Sequence, residues 1–238
     1  MSLVAELAAI VGADGVVEGA AATPFLVDET ETRALRGRAD AVVLPRTAEE
    51  VAAVMRLCYE RDLPLTARGG GTGYAGGCVP TSGGVVLSTD RLARVRSFDP
   101  LQWRMEVEAG VTTAHVRRLA RENGLLFPPD PGAAEQSQLG GNIATNAGGP
   151  HAFKYGTTGA WVTGVEAVVP PGDVVRFGGP VRKDVAGYDF RGLLVGSEGT
   201  LGIVTSVWLR LIPAPEAALP VAAVYPDVAA GAAAIEQV

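Results

Sequence analysis

One stretch decides the fold: residues 68–84 read RGGGTGYAGGCVPTSGG. Within it, residues 71–76 match the G-x-G-x-x-G pattern of dinucleotide-binding turns. In a Rossmann fold a helix begins directly after that turn, and its N-terminus holds the pyrophosphate of the dinucleotide. Here Pro80 and two further glycines follow the turn, and no helix can begin there. A Rossmann protein that binds NAD is therefore the weaker interpretation.

The same glycines suit a phosphate site that needs no helix. A run such as 69–73 can turn so that several backbone N–H groups face one point, with positive φ where required, and such a nest binds a phosphate group. Thr72 adds a hydroxyl donor. A second run, GGNIATNAGG at 140–149, offers glycines, two amides and a hydroxyl. We expect the two nests to converge on a diphosphate; the alternative is a set of tight turns in a compact sheet protein.

Two more loops carry chemistry of their own. Residues 128–132, PPDPG, form a stiff loop that can stand against a planar ring; the alternative is a plain connector. Residues 196–204, GSEGTLGIV, combine glycines with a strand. Glu198 in that stretch can accept a ribose hydroxyl, although a solvated acid in a turn explains it equally well.

Composition excludes several classes of protein. Glycine makes up 31 of 238 residues, against a usual share of roughly 7%, and 47% of the residues are hydrophobic, which fits a folded chain. The net charge of −6 argues against nucleic-acid binding. Cys58 and Cys78 are too few for a disulfide scaffold or a Cys-based metal site and fit a reducing compartment, so we expect a cytoplasmic protein with no metal. No apolar run is long enough to predict a transmembrane segment.

The hydrophobic pattern divides the chain. A short helix at 3–11 opens an irregular lead-in, 1–40, and residues 41–67 predict a β-α-β unit whose helix starts at a capping box formed by Thr47 and Glu50. Beyond it the pattern predicts a helix at 112–123, a loop-rich stretch at 127–149, and strands at 84–88, 92–98, 103–109, 162–169, 174–177, 193–195 and 203–211.

A boundary is predicted near 216, after Pro213 and Pro215. Residues 219–225 predict a strand, and Asp227 predicts the start of a helix. One β-α unit cannot bury its own apolar face. We therefore expect 216–238 to be the start of a second domain, whose remainder lies outside this sequence or whose place is taken by a partner.

Six motifs in order carry a family resemblance. They read RGGGTGYAGG (68–77), PPDP (128–131), GGNIATNAGG (140–149), KYG (154–156), RKDVAGYD (182–189) and GSEGTLGIVT (196–205). This series resembles the FAD-binding domain of the vanillyl-alcohol oxidase / p-cresol methylhydroxylase superfamily. Within it the chain is most similar to the FAD-linked oxidases typified by the glycolate oxidase D subunit and the D-lactate and D-2-hydroxyglutarate dehydrogenases. The resemblance covers about 40–238.

The resemblance implies an α+β fold: a two-subdomain FAD-binding domain of the p-cresol methylhydroxylase type at 41–215, with subdomains of about 41–100 and 101–215 and the start of a ferredoxin-like cap at 216–238. FAD would lie between the subdomains. The implied pyrophosphate residues of the first subdomain are Arg68, Gly69, Gly70, Gly71, Thr72, Gly73, Gly76 and Gly77. The implied contacts from the second are Gly140, Gly141, Asn142, Thr145, Asn146, Ala147 and Gly148, with Pro129 and Asp130 near the flavin and Glu198, Gly202 and Ile203 at the adenosine.

The resemblance also implies an activity, the oxidation of a 2-hydroxy acid of the glycolate or D-lactate type to a 2-oxo acid. The alternative is a non-catalytic FAD-binding subunit that needs a partner chain. FAD should be non-covalent, because the first glycine loop lacks the His through which some relatives attach it. No catalytic residue is assigned: His115 is expected at the surface and His151 in a loop. The expected partners are a small 2-hydroxy acid, an electron acceptor that the motifs do not identify, and a partner subunit or a second copy; the isolated chain is expected to be inactive.

Overall fold

The computed structural model describes residues 1–30 and 34–237. Its helices are α1 (Leu3–Val11), α2 (Ala48–Glu60), α3 (Thr113–Glu122), α4 (Leu139–Ala144), α5 (Ala152–Tyr155), α6 (Phe190–Leu194) and α7 (Val228–Ile235). Its strands are β1 (Val16–Val17), β2 (Ala41–Val43), β3 (Leu65–Arg68), β4 (Val85–Ser88), β5 (Val95–Asp99), β6 (Arg104–Glu108), β7 (Leu125–Leu126), β8 (Val162–Val169), β9 (Asp173–Gly178), β10 (Ile203–Arg210) and β11 (Ile212–Pro213). Two sheets with helices packed on them confirm the α+β fold class.

The first sheet has the strand order β1-β2-β4-β3. Strands β2, β4 and β3 are parallel, so the predicted β-α-β unit forms, but β4 lies between its two strands. Helix α2 begins where predicted: the Thr47 side chain accepts a hydrogen bond from the Glu50 N–H at 3.2 Å. The Glu50 carboxylate binds the N–H of Arg46 rather than that of Thr47, so the reciprocal half of the capping box is shifted by one residue. The core under this sheet is aliphatic and includes Leu7, Val51, Val54, Val85 and Leu87.

The second sheet is antiparallel, in the order β5-β6-β10-β8-β9. Strand β5, predicted within the first subdomain, belongs to this sheet. Its core contains Met105, Val107, Val116, Phe127 and Leu209. At one end of the sheet, Val168 and Ile203 pack into the core of the first sheet instead. Each sheet with its packed helices forms one half of the fold. This end of β8 and β10 joins the two halves and sets how they face each other.

Two sequence-based predictions of secondary structure are wrong. Residues 193–195 end helix α6 rather than form a strand, because Asp189 caps a short helix by accepting the Gly192 N–H at 2.9 Å. The stretch 127–149 is loop-rich as predicted, and it also contains the short helix α4. Residues 219–225 form no strand among the described residues, because no neighbouring strand is present to pair with them. Helix α7 does form, capped by Asp227 as predicted.

Some predictions lie outside the described residues. Residues 31–33 of the irregular lead-in and Val238 of the last segment belong to this group. Elsewhere the lead-in is more ordered than predicted: residues 13–15 and 19–26 form 3-10 helices, and β1 pairs with β2. Among the described residues, no helix has the length and apolar character needed to cross a bilayer.

Candidate cofactor site

A cavity of about 610 Å³ opens between the two halves of the fold. Its wall combines the first glycine run, the residues around α4, and the segment that leads into β10. The predicted site residues on this wall are Arg68, Gly69, Gly70, Gly71, Thr72, Gly73, Gly77, Gly140, Gly141, Asn142, Thr145, Ala147, Glu198, Gly202 and Ile203. Residues far apart in the sequence therefore meet at one cavity.

The first glycine run leaves the C-terminal end of β3 and turns across the mouth of the cavity. Gly71 has φ +70°, a conformation that favours glycine. A Cβ atom on Gly70 would overlap the backbone carbonyl of Gln136, whereas a Cβ on Gly73 would meet nothing within 4 Å. The loop then runs into β4 and not into a helix, which removes the Rossmann interpretation.

The second glycine run approaches the first directly. A Cβ on Gly69 would lie 3.5 Å from the backbone nitrogen of Gly141, so the two backbones are separated only by the space that a side chain would fill. The two runs therefore meet; that they bind a diphosphate where they meet stays a prediction. Gly141 itself lies in α4 and needs no positive φ, so the second run is not a nest of left-handed glycines as expected. Gly140 lies close to a neighbouring backbone segment, because its N–H donates a hydrogen bond of 2.8 Å to the carbonyl of Ala109.

Side chains of the second run hold the protein together more than they face the cavity. The Asn142 amide is buried, donates to the hydroxyl of Thr113 and accepts from Ser137. The Thr145 hydroxyl donates to the carbonyl of Gly141 at 3.0 Å. Backbone groups, and not the predicted amide side chains, are therefore the polar surface that α4 presents.

Five predicted residues lie off the cavity wall, namely Gly76, Pro129, Asp130, Asn146 and Gly148. Asn146 has φ +48° and accepts the N–H of Gly159 at 2.9 Å, so its amide has a structural role. Asp130 accepts the N–H of His151 at 3.1 Å, and its other oxygen lies 2.5 Å from Nδ1 of the same histidine. The PPDP motif thus braces the loop after the second glycine run.

Both described histidines lie away from the cavity wall. His151 is more than half exposed and is held by Asp130, in edge contact with Tyr155. His115 lies in the first turn of α3, where its N–H binds the cap hydroxyl of Thr112 at 3.3 Å. Neither histidine is placed to take a proton from a ligand in the cavity.

Arg68 lies on the cavity wall, and its guanidinium is engaged with neighbouring groups of the protein. Its Nη1 donates to the carbonyl of Val27 at 2.5 Å and lies 3.5 Å from the sulfur of Cys78. The guanidinium occupies the space that a Cβ on Gly71 would need, beneath the glycine loop. Arg68 therefore supports the loop from beneath, and its positive charge lies next to the loop at the cavity wall.

Glu198 is the acidic group that the segment 196–204 brings to the wall. It has φ +51°, and its N–H binds the carbonyl of Ala144 at 2.8 Å, which orients the residue. A Cβ on Gly77 would lie 3.6 Å from its Oε2. Among residues 1–30 and 34–237, none donates a hydrogen bond to this carboxylate, so it is available to a hydroxyl-bearing ligand.

Sequence reasoning missed several wall residues. Asp28, Cys78, Thr89 and Gln138 line the cavity but lie outside the six motifs, and Tyr74 lies within the first motif without having been predicted as a contact. The Cys78 thiol is partly buried, and burial raises its pKa despite the neighbouring charge of Arg68. Asp28 belongs to a charged run in the lead-in, which sequence patterns alone class as solvated loop.

The cavity fits a dinucleotide. Its volume falls within the roughly 300–1,000 Å³ typical of ligand pockets. At Gly73 and Gly141 an added Cβ would meet nothing within 4 Å, so the backbone there borders open space that a ligand can occupy. Peptide N–H groups in such a glycine-rich turn are suited to binding phosphate, and the wall also carries the carboxylate of Glu198.

The comparisons with known proteins agree with this geometry. The family model described as FAD binding domain matches residues 39–178. The chain is 41% identical over 199 residues to glycolate oxidase subunit GlcD of Bacillus subtilis (strain 168), covering 84% of this chain and 42% of that protein. It is 45% identical over 172 residues to a D-lactate dehydrogenase of Archaeoglobus fulgidus, covering 72% of this chain and 38% of the relative.

A D-2-hydroxyglutarate dehydrogenase of Xanthomonas citri pv. viticola is 42% identical over 175 residues, covering 74% of this chain and 37% of that protein. Among solved structures, alkyldihydroxyacetonephosphate synthase superimposes with a TM-score of 0.78 at 25% identity, covering 90% of this chain and 41% of that one. The chain therefore spans less than half the length of these relatives.

Proposed function

Because the chain belongs to the FAD-binding domain family, with FAD as its cofactor, we propose that it forms the flavin-binding part of an oxidoreductase that oxidises a 2-hydroxy acid to a 2-oxo acid. The names of the relatives support the substrate class: glycolate, D-lactate and D-2-hydroxyglutarate all carry a hydroxyl beside a carboxylate. The observation that carries the proposal is the meeting of the two glycine runs, at Gly69 and Gly141, on the wall of one cavity.

The residues divide the work of holding FAD. The backbone of 69–73, with Gly141 opposite, would bind the pyrophosphate, because glycine lets peptide N–H groups approach the phosphate oxygens. The Glu198 carboxylate would accept a hydroxyl of the adenosine ribose. Ile203 and Ala147 contribute apolar wall. Of the predicted set, Gly76, Pro129, Asp130, Asn146 and Gly148 lie off the cavity wall and are given no direct contact with FAD in this proposal.

When bound, FAD supplies the two-electron acceptor of the reaction; the protein supplies position and electrostatics. The oxidation also releases the proton of the substrate hydroxyl, and a base must accept it. The described wall carries the titratable acids Asp28, Glu29, Tyr74, Cys78 and Glu198 but no histidine. We propose that the base lies outside residues 1–238, in a longer form of the chain or in a partner, and that residues 1–238 bind FAD without turnover.

A second candidate is a non-catalytic FAD-binding subunit that works with a partner chain. The observation that favours it is the exposed apolar surface of the last segment: Leu219 is 87% exposed, Val221 94% and Val224 100%. Both candidates bind FAD. They differ in what restores activity: a longer form of the same chain supports the first, and a separate subunit supports the second.

The proposal is tested first by the visible spectrum of the purified protein. The bands of oxidised flavin, at one FAD per chain after gel filtration, are expected. Apoprotein that fails to take up FAD on titration while binding NADH would contradict the proposal. The substrate class is tested next, by reduction of an artificial dye with glycolate, D-lactate or D-2-hydroxyglutarate in the form of the protein that turns over. Reduction by none of these 2-hydroxy acids would contradict the substrate class while leaving FAD binding in place.

A further inference from the structure

The lead-in contacts the first glycine loop at several points before the matched family domain begins at residue 39. The N–H of Glu29 donates to the carbonyl of Gly73 at 3.2 Å, and the N–H of Arg38 donates to the carbonyl of Pro80 at 3.0 Å. Leu35 fills the space beside Gly76, where a Cβ would lie 2.6 Å from its Cδ2. Residues 27–30 and 35–38, called the strap below, therefore lie along the loop that forms one cavity wall.

Asp28 is the polar centre of the strap. It is only 7% exposed. Its Oδ2 accepts the N–H of Gly76 at 3.1 Å, and its Oδ1 accepts the N–H of Thr30 at 2.8 Å as well as the Thr30 hydroxyl. A buried carboxylate persists only where donors satisfy it, and here two backbone N–H groups and one hydroxyl do so.

A second link crosses the same interface in the opposite direction. Arg68, at the end of β3, donates from Nη1 to the carbonyl of Val27 at 2.5 Å. The Cys78 sulfur lies between the two charged groups, 3.5 Å from Arg68 Nη1 and 3.9 Å from Asp28 Oδ2. Both ends of the loop, at Arg68 and at Gly76–Cys78, are thus tied to neighbouring strap residues.

We propose that the strap is part of the FAD site and that Asp28 is a positioning residue, which holds the first glycine loop in its phosphate-binding conformation before the cofactor arrives. The physical reason is entropic. A glycine-rich loop has many backbone conformations, and a loop that must be ordered on binding lowers affinity. Asp28 touches the loop through Gly76, which stands three residues from Gly73 on the cavity wall. The inference rests on the FAD site proposed above.

The test compares Asp28→Ala with Asp14→Ala in the full 238-residue chain. Asp14 belongs to the same lead-in and pairs with Arg46 and Arg91, but it does not touch the loop. Apoprotein of each variant is titrated with FAD, and amide exchange at 73–78 is measured without FAD. For Asp28→Ala we expect affinity roughly tenfold to hundredfold weaker, the equivalent of one or two lost buried hydrogen bonds, and faster exchange at Gly76. Asp14→Ala should match the wild type in both.

Asp28→Asn provides a second variant if the alanine protein does not fold. The amide keeps only one of the two acceptor oxygens, so it can accept from Gly76 or from Thr30 but not from both, and its FAD affinity should lie between that of the wild type and that of Asp28→Ala. Thr30→Val removes only the hydroxyl contact and should have a smaller effect than Asp28→Ala. Wild-type affinity and wild-type exchange in Asp28→Ala would overturn the proposal, as would a lowered melting temperature of the apoprotein with unchanged FAD affinity. If the wild type itself bound no FAD, the proposed function would fail, whereas the exchange data on apoprotein would still decide whether Asp28 orders the loop.

Discussion

The hydroxyl of Thr89 donates a hydrogen bond of 2.6 Å to Oε1 of Gln138, and both residues are buried at the cavity wall. Thr89 follows β4 of the first sheet, and Gln138 precedes α4 on the second. The Gln138 amide also donates to Asp90 at 2.6 Å. One side chain therefore joins the two halves of the cavity.

Gln138→Leu should destabilise the protein. The change removes the hydrogen bonds that Gln138 makes with the buried hydroxyl of Thr89 and with the carboxylate of Asp90. Leaving a buried polar group without its partner lowers the free energy of unfolding by about 1–3 kcal/mol. Urea unfolding of the apoprotein measures the effect. Gln102→Leu, at an exposed turn position, is the matched control and should stay close to wild type. Equal stabilities of the two variants would show that the link between the halves carries no energy.

Gly141→Val should abolish FAD binding with little effect on the apoprotein. The added Cβ meets nothing within 4 Å in this structure, so folding tolerates it, but the side chain enters the space where the pyrophosphate is proposed to lie. Gly179→Val is the control, because it also enters open space but lies away from the cavity. FAD content after gel filtration and the melting temperature of apoprotein are measured. Stoichiometric FAD in Gly141→Val would rule out the proposed pyrophosphate position.

Stability should fall in acid partly through Glu108, which is fully buried on the second sheet. Burial alone raises the pKa of its carboxyl, but hydrogen bonds from the side chain and backbone of Arg94 and the charges of Arg94 and Arg96 outweigh it, so the pKa lies below the ordinary 4.5. A lowered pKa in the folded state means that the unfolded chain binds more protons in this range. The contribution is therefore fully present above about pH 4.5 and is lost as the pH falls through the folded value.

Glu108→Gln removes that titration. The variant should be less stable at pH 7, where the charged pair is lost, and its free energy of unfolding should decline less between pH 5 and pH 3, in the window set by the carboxyl pKa values. Urea unfolding across this range measures both effects. A variant whose acid decline is as steep as that of the wild type would assign the decline to other carboxylates.

Acid or heat should release all the FAD. The first glycine loop has no histidine, and burial keeps the Cys78 thiol protonated by raising its pKa, which weakens it as a nucleophile. Precipitated protein is washed, and flavin is measured in the pellet and in the supernatant. Cys78→Ser should release the same fraction. Yellow colour retained in the wild-type pellet but absent from the Cys78→Ser pellet would demonstrate a covalent link.

The last segment should be the first to be cut by proteases. Residues 219–225 form no strand, and Val228 on α7 is also exposed, so few packing contacts protect the backbone. Limited digestion followed by mass spectrometry should yield a core that ends after Pro213, and light scattering of the intact chain should show self-association. Slow cleavage together with a strictly monomeric state would show that the segment packs on the rest of the chain.

Local sequence patterns predicted the elements that depend on neighbours in the chain. Helix α2 starts at the Thr47 cap, and β8 and β9 form at the strands predicted at 162–169 and 174–177 and pair as a hairpin, because caps and turns act within a few residues. The same reasoning failed at 193–195 and 219–225. A short apolar run is compatible with either helix or strand, and a strand forms only where another edge is present to pair with it.

The cofactor and the family followed from the sequence by itself, because the order and spacing of the six motifs can be read without any knowledge of contacts. The tertiary structure alone decided which residues meet the cavity. It turned the Arg68 guanidinium under its own loop, engaged Asn142 with Thr113, and brought Asp28 from the lead-in to the cavity wall, where it binds Gly76. These outcomes depend on hydrogen-bond partners up to 48 residues away along the chain. A sequence pattern records which donors and acceptors exist, whereas packing determines which of them are already satisfied before a ligand arrives.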